Sequence, residues 1–199
     1  MKLEWIIETF QARQDRSNGR GDHDLNPGMP LPDSRLTPAA VLVPMIVREE
    51  GVTMLFTQRA TNLPHHPGQV CFPGGHIDPE DGTPEETALR ETEEEVGIHR
   101  QHIQIIGRLS DYWTRTGFSV APIVGIITPP FDVNPDPHEV AQVFETPLDF
   151  LMDPKNHKRH SREFQGSTRH FYAMLYKDFY IWGATAGILV DLYEVLMGE

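Results

Sequence analysis

The sequence predicts an α+β fold, with a mixed sheet and a helix on each side of it. Segments with the composition and alternation of β-strands outnumber the helical segments. These segments do not alternate regularly with helices, as the strands of a doubly wound parallel sheet do. The chain has 199 residues, of which 39% are hydrophobic. A chain of this length forms a core without needing a disulfide or a structural metal.

The N-terminal part divides into a helix and an extended segment. Leu3, Ile6, Ile7 and Phe10 recur at helical spacing, which predicts a short amphipathic helix over the first dozen residues. From about residue 19 to residue 38 the chain is rich in Gly, Pro, Asp and Asn, so it is predicted to run extended along the surface. We therefore divide the chain into residues 1–35, this helix and Pro/Gly-rich segment, and a compact domain of residues 36–199.

The compact domain is predicted to begin with a β-hairpin, and two helices follow in it. The hairpin joins two β-rich runs, 39–47 and 52–58, through the sequence EEG at residues 49–51. Helices are predicted at 84–96 and 184–197, the second with an apolar stripe and Gly198 at its C-cap. Further strands are predicted at 103–109, 118–127, 140–145 and 170–176.

Charge and composition exclude several kinds of partner. Lys and Arg together number 17 against 29 for Asp and Glu, a formal net charge of -12, which disfavours nucleic acid and anionic lipid as partners. The single cysteine, Cys71, cannot form an internal disulfide, as is usual in a reducing compartment. Neither a signal-peptide core nor an apolar run long enough to span a membrane occurs. We expect a cytoplasmic protein, and the sequence leaves open whether it is a monomer or a homodimer.

The helix at 84–96 carries more carboxylates than a packing helix needs. The sequence TPEE at residues 83–86 predicts a capping box, and Gly97 predicts the end, so the helical register is well defined. In that register Glu91, Glu94 and Glu95 lie on a face separate from the apolar residues. Like charges at this spacing repel, and they lie near the negative end of the helix dipole. A solvated acidic face and a cation site are the two interpretations of this pattern.

The loop before this helix favours the cation site. The sequence FPGG at residues 72–75 ends an apolar run with two glycines, which allow close approach of the backbone to a ligand. Carboxylate oxygens suit hard divalent ions such as Mg²⁺ and Mn²⁺. Zinc is disfavoured, because the chain has one cysteine and no helical pair of histidines.

At this point the sequence resembles the Nudix box, the signature of hydrolases that split a diphosphate linked to another group. Gly75 and the run RETEEEVGI at residues 90–98 match its second half at every fixed position, with Thr92 where an aliphatic residue is usual. The first half departs from the general box. Asp81 stands where the box has a glutamate, and Arg90 lies one residue farther along than the general spacing.

The upstream sequence resembles the coenzyme A pyrophosphatase branch of the Nudix family. The matching segments are LFTQRA at residues 55–60 and GQVCFPGG at 68–75, and a looser similarity continues to WGATAG at 182–187. Pro64 stands where this branch usually has an arginine, and Phe56 replaces a leucine. The resemblance implies a Nudix-type α/β/α sandwich that hydrolyses coenzyme A or acyl-coenzyme A to 3′,5′-ADP and a 4′-phosphopantetheine.

The resemblance also implies roles for individual residues. It assigns Mg²⁺ or Mn²⁺ ligation to the three helix glutamates and the Gly75 carbonyl, and it makes Arg90 an orienting partner of a carboxylate. It makes Glu139, just before a predicted strand, an extra ligand or general base. The resemblance gives the catalytic set as Glu94, Glu95, Arg90 and Glu139, the metal set as Glu91, Glu94, Glu95 and Gly75, and the substrate-binding set as Arg59, His66, Gln69, Gly74 and Gly75.

Three other functions compete with this interpretation. The nearest is a Nudix hydrolase of another nucleoside diphosphate conjugate, such as NADH or ADP-ribose. A non-catalytic Nudix-like binding module is disfavoured, because the carboxylate cluster costs stability and has little use without a metal. An acidic calcium-binding protein is disfavoured because no EF-hand loop sequence occurs. The sequence leaves open the preferred acyl form, the water-activating base and the number of metal ions.

Overall fold

A computed structural model of the protein describes residues 1–14, 19–28, 36–164 and 166–198. The α-helices are α1 Leu3–Arg13, α2 Pro84–Val96, α3 Leu148–Leu151 and α4 Ala184–Met197. The strands are β1 Arg20–Gly21, β2 Thr37–Arg48, β3 Gly51–Arg59, β4 Val70–Cys71, β5 Gly74–His76, β6 Ile103–Arg108, β7 Tyr112–Trp113, β8 Phe118–Ile127, β9 Val140–Pro147, β10 Lys158–Phe164, β11 Ser167–Tyr176 and β12 Phe179–Trp182. Short 3₁₀ turns lie at Asp22–Leu25, Arg100–His102 and Pro154–Asn156.

The main sheet is mixed and is centred on β2. β2 pairs in parallel with β8 and antiparallel with β3 and β5, which confirms the predicted hairpin of β2 and β3. Alternate residues of β2 point to opposite faces. Val43 and Met45 enter the larger core beneath α1 and α4, whereas Ala40 and Leu42 pack with Ala88 of α2 on the other face. The fold is therefore the predicted α/β/α sandwich around a mixed sheet.

Most predicted elements have the predicted bounds within one to three residues. The helices at 84–96 and 184–197 and the strand at 118–127 have those bounds in the structure. The strand predicted at 170–176 belongs to β11 in a second sheet, whose strand order is β10-β11-β12. β10 and β12 are not among the predicted strands.

The prediction of an extended surface segment after α1 holds for the two-residue strand β1 and is wrong for residues 22–25, which form a 3₁₀ turn. β1 pairs with β7, and the 3₁₀ turn follows it directly. The Arg20 guanidinium lies 2.6 Å from the Glu194 carboxylate of α4, and the Tyr112 hydroxyl donates to the Asp22 carboxylate at 3.0 Å. These polar contacts attach the segment to the domain although its composition is that of a loop. Residues 15–18 and 29–35 of the predicted segment lie outside the described residues.

In the described ranges, no helix is long and apolar enough to cross a membrane.

Candidate active site

The carboxylate helix α2 is capped at both ends by local sequence. The Thr83 hydroxyl accepts a hydrogen bond from the Glu86 backbone N–H at 3.2 Å, and Gly97 ends the helix at φ 74°. The predicted capping box forms only in this half. The Glu86 carboxylate accepts from the Gly82 backbone N–H at 2.6 Å rather than from Thr83. The register of α2 is nevertheless the predicted one.

Strand β5 holds the paired glycines against two carboxylates of α2. The Gly74 backbone N–H donates to a Glu95 oxygen at 3.2 Å. A Cβ on Gly75 would lie 2.4 Å from Glu91 Oε1, so the Glu91 carboxylate occupies the space that any other residue would fill. Gly74 has φ 155°, in the region that favours glycine. The close approach of α2 therefore requires a glycine at position 75. At position 74 glycine is required by the positive φ and by the backbone of β2, since a Cβ there would lie 2.4 Å from the Ala40 carbonyl oxygen.

The helix glutamates differ in exposure, which corrects the predicted single acidic face. Glu95 is 4% exposed and lies among the buried residues of α2, whereas Glu94 is exposed. The helical register places Leu89 on the apolar face of α2, but in the structure it is only half-buried. Burial, followed by repulsion from Glu91 and Glu139, raises the pKa of Glu95 to about 8, against the hydrogen bond from Gly74. Burial of this carboxylate therefore favours its protonated form until a positive charge is supplied nearby.

Arg90 connects the carboxylates of this helix to the preceding loop. Its guanidinium holds Asp81 through two hydrogen bonds of 3.0 and 2.8 Å, and another nitrogen donates to Glu91 at 2.9 Å and to Glu94 at 3.1 Å. The pKa of Asp81 is held well below its ordinary range, chiefly by the hydrogen bonds from Arg90. The aspartate that departs from the general Nudix box is thus the anchor of Arg90.

Glu139 approaches the same carboxylates from a different element. It lies in the turn immediately before β9, and its backbone carbonyl accepts from the Ala60 N–H at 2.8 Å. Its charge helps to raise the pKa of both Glu91 and Glu95, although burial is the largest cause for each. The structure therefore brings Glu139 electrostatically close to α2, while its side chain stays exposed.

The donors at this site fit a hard divalent cation by their chemistry. They are carboxylate oxygens: the Glu91 carboxylate lies against the backbone of Gly75, and the Glu95 carboxylate is buried and has a raised pKa. A cation would offset the mutual repulsion that raises these pKa values. As placed, no three His, Cys, Asp or Glu side chains of the described residues converge closely enough to enclose an ion. The ligand set therefore remains a proposal based on donor chemistry.

The five residues predicted to bind substrate all line one cavity of about 800 Å³. They are Arg59, His66, Gln69, Gly74 and Gly75. The His66 ring lies 3.0 Å from the Gln69 amide oxygen, so these two side chains support each other. The Arg59 Nε is buried and has no hydrogen-bond partner among the described residues. An anionic ligand in the cavity would supply that partner.

Sequence reasoning missed much of the opposite wall of this cavity. The missed lining includes three arginines and three aromatic side chains: Arg115, Arg162, Arg169, Phe118, Phe171 and Trp182. Most of them come from the second sheet, whose strands carry little hydrophobic alternation. The sequence offered one signal, the run of small residues after Trp182. Gly183, Ala184 and Thr185 of that run line the cavity.

The α/β/α sandwich places a carboxylate-bearing helix and a glycine strand beside a large cavity with basic lining. These features fit a protein that binds a phosphorylated small molecule. The NUDIX domain family matches residues 36–166, which is more than half of the chain. The chain therefore belongs to the Nudix family, whose hydrolases act on nucleoside diphosphate derivatives and generally use divalent metal ions.

Curated relatives agree with this membership. The protein named uncharacterized Nudix hydrolase NudL from Photorhabdus laumondii is 39% identical over 170 residues, which cover 83% of this chain and 90% of the relative. The NudL of an Enterobacter species is 40% identical over 154 residues, 77% of this chain and 80% of the relative. Among solved structures, a Caenorhabditis elegans Ap4A hydrolase binary complex matches with 26% identity and a TM-score of 0.49, over 56% of this chain and 80% of that one.

Replacing Gly75 with Ala tests the contact between β5 and Glu91. The new Cβ would lie 2.4 Å from Glu91 Oε1 and 2.5 Å from its Cδ, so the carboxylate must move. We expect hydrolase kcat/KM to fall by about tenfold or more, because small displacements of positioned groups are costly. Steady-state kinetics with Mg²⁺ measures the change. Gly82→Ala is the matched control, since it displaces only Glu86 outside the site; equal kinetics for the two variants would contradict the assignment.

Proposed function

We propose that this protein hydrolyses the diphosphate of coenzyme A or its acyl derivatives, giving 3′,5′-ADP and 4′-phosphopantetheine or its acyl form. The observation that carries the proposal is the common cavity. The segment that resembles the coenzyme A branch, 55–75, supplies Arg59, His66 and Gln69 to the same cavity that Gly74 and Gly75 line beside the carboxylates. The part of the sequence that distinguishes this branch therefore contributes directly to the site.

The proposed metal ligands are Glu91, Glu94, Glu95 and the Gly75 carbonyl, with Mg²⁺ or Mn²⁺ as the ion. When bound, the ion would neutralise the charge of the diphosphate oxygens and lower the pKa of the attacking water. Arg90 is a positioning residue, because its guanidinium fixes Glu91 and Glu94 through hydrogen bonds and is not itself among the residues that line the cavity. A chain of net charge -12 would in this way acquire the positive charge that its substrate requires.

The remaining site residues have proposed roles in binding and proton transfer. Arg59 donates to a phosphate oxygen, for which its buried Nε is already desolvated. His66 and Gln69, which hold each other, bind at the same wall. Glu139, as an exposed carboxylate close to Glu91 and Glu95, accepts the proton of the attacking water. Water attacks one phosphorus, and the bond from that phosphorus to the bridging oxygen breaks.

A hydrolase of NADH or ADP-ribose is the second candidate. Both contain the same diphosphate, and the carboxylates do not distinguish them from coenzyme A. The buried Glu95 disfavours a non-catalytic binding module, because removing a carboxylate from water beside Glu91 and Glu139 destabilises the fold.

A substrate comparison tests the proposal. With Mg²⁺ we expect kcat/KM for coenzyme A to exceed the values for NADH and ADP-ribose, since the lining from segment 55–75 is the branch-specific part of the site. Product analysis should show 3′,5′-ADP and 4′-phosphopantetheine. A kcat/KM for NADH or ADP-ribose equal to or above that for coenzyme A would replace the proposed substrate and leave the reaction class standing.

A further inference from the structure

Two arginines of the second sheet lie directly opposite each other. In the antiparallel register of β10 and β11, Arg162 pairs with Arg169. Their side chains therefore leave the same face of the sheet, and both line the cavity. Like charges at directly opposed positions of an antiparallel pair destabilise it. An anion bound between or above the two guanidiniums would relieve this repulsion.

A third arginine adds to this positive charge. Arg115, in the turn before β8, lines the cavity and acts electrostatically on Arg169. Partial burial, and then the charge of Arg115, lower the pKa of Arg169. Asp22 is the one carboxylate among the described residues that line the cavity; it attracts Arg169 and accepts hydrogen bonds from Tyr112 and the Arg115 backbone. Three guanidiniums face one carboxylate, so this wall is positive in a strongly acidic chain.

Aromatic side chains continue the same wall. The β10-β11-β12 register places Phe171 and Trp182 on the face that carries Arg162 and Arg169. The two rings lie 5.3 Å apart in an edge-to-face arrangement, and both line the cavity. Aromatic rings next to guanidinium groups bind nucleobases by stacking while the guanidiniums bind phosphate.

The same cavity reaches the glycine strand. Its lining runs from Gly74 and Gly75, beside the carboxylates, to Arg162 and Arg169 of the second sheet. A ligand held at both ends would carry a diphosphate at one end and a separate phosphate beside a base at the other. Coenzyme A has this chemistry, because its ribose bears a 3′-phosphate; NADH and ADP-ribose have no such phosphate.

We propose that Arg162, Arg169 and Arg115 bind the 3′-phosphate of the substrate, and that the adenine lies against Phe171 and Trp182. This subsite rests on the proposed function and would account for a preference for coenzyme A among nucleoside diphosphate conjugates. Charge-assisted hydrogen bonds from two or three arginines would supply the discrimination. Dephospho-coenzyme A lacks only this phosphate, so it would bind without any contribution from these arginines.

The first measurement is binding of the product 3′,5′-ADP in the absence of catalysis. In chelator, calorimetry should show that the parent protein binds 3′,5′-ADP at least about tenfold more tightly than 5′-AMP. The variant with both Arg162→Gln and Arg169→Gln should lose most of this ratio. Arg159→Gln is the matched control, since Arg159 lies on the other face of β10, with its guanidinium 3.3 Å from the Tyr172 hydroxyl, and should keep the ratio.

The second measurement is hydrolysis. The ratio of kcat/KM for coenzyme A to that for dephospho-coenzyme A should fall about tenfold or more in the double variant, mainly through KM for coenzyme A, while dephospho-coenzyme A is cleaved as before. Removing two opposed like charges should not unfold the sheet, and thermal unfolding checks this. Arg162→Gln alone, at an exposed position, repeats the test if the double variant does not fold.

The outcomes separate the subsite from the proposed function. A parent protein without preference for 3′,5′-ADP over 5′-AMP, a double variant that keeps the preference, or a control that loses it equally would each overturn the subsite. If coenzyme A is not cleaved but the preference for 3′,5′-ADP is present and depends on the two arginines, the subsite stands and the proposed reaction is wrong.

Discussion

Glu95→Gln is expected to lower kcat by about 10²-fold or more while leaving the fold intact. Glu95 of α2 is buried against β5, and the glutamine side chain has nearly the same shape as the glutamate. The amide oxygen can still accept the hydrogen bond that the Gly74 backbone N–H donates at 3.2 Å. What is lost is the carboxylate charge, which matters most when a metal and a reacting diphosphate must be held together.

The measurement is steady-state kinetics with Mg²⁺ titrated over a wide range. Glu85→Gln is the matched control, because it makes the same change in the first turn of α2, away from β5. We expect Glu85→Gln to have near-parental kcat. A Glu95→Gln protein with near-parental turnover and an unchanged Mg²⁺ dependence would show that Glu95 is a structural acid, and the proposed ligand set would then have to be rebuilt without it.

The sequence predicted the elements of this site well because their signals are local. Thr83, Pro84 and Gly97 determine where α2 begins and ends, and both ends match the structure. With the register known, the glutamates near β5 follow from helical periodicity. Burial does not follow in the same way: Glu95 is buried because β5 packs against α2, a contact between elements that periodicity does not describe.

The second sheet was missed because its sequence lacks a hydrophobic signal. β10 reads KRHSREF, with charged and polar residues on both faces, so neither alternation nor composition marks it as a strand. Its stability comes from pairing with β11, whose Met174 enters the core. The polar composition that hides this strand from sequence prediction also makes it available to a ligand, since Arg162 of β10 lines the cavity.

The N-terminal segment was underestimated in a similar way. Gly, Pro, Asp and Asn predicted an extended surface path, yet residues 20–21 pair with β7 and residues 22–25 form a 3₁₀ turn. Arg20 and Asp22 form hydrogen bonds to residues 174 and 90 positions later in the chain. Long-range polar pairs of this kind leave no periodic pattern in a sequence, which is why composition alone gave the wrong structure.

Divalent metal is expected to stabilise the folded protein by a large and site-specific amount. The unfolded chain does not bring the helix glutamates to β5, so binding is almost confined to the folded state. At about one hundred times the Kd, linkage gives roughly 2.7 kcal/mol. With about 2 to 4 °C per kcal/mol for a domain of this size, Mg²⁺ should raise Tm by roughly 5 to 11 °C relative to chelator. Ionic strength must be matched so that general screening is constant.

The raised pKa of Glu95 predicts the relative stability of the parent and Glu95→Gln when chelator has removed divalent metal. The folded-state pKa of about 8 lies above the ordinary value of 4.5, so the folded state binds the extra proton between these values. The stability from Glu95 is therefore fully present below pH 4.5 and is lost as pH rises through 8. In chelator, Glu95→Gln should be at least as stable as the parent at pH 7, with the margin increasing towards pH 9, because the amide has no such charge to bury.

The two effects together make the metal-site assignment testable by thermal unfolding alone. The parent should show a large Mg²⁺-dependent rise in Tm, whereas Glu95→Gln should start at an equal or higher Tm in chelator and gain little from Mg²⁺. Glu85→Gln should gain as much as the parent, since Glu85 lies in the first turn of α2. An equal Mg²⁺ response in Glu95→Gln and the parent would mean that the ion binds elsewhere. A chelated variant clearly less stable than the parent at pH 8 would mean that burial of this carboxylate is not the cost that its raised pKa indicates.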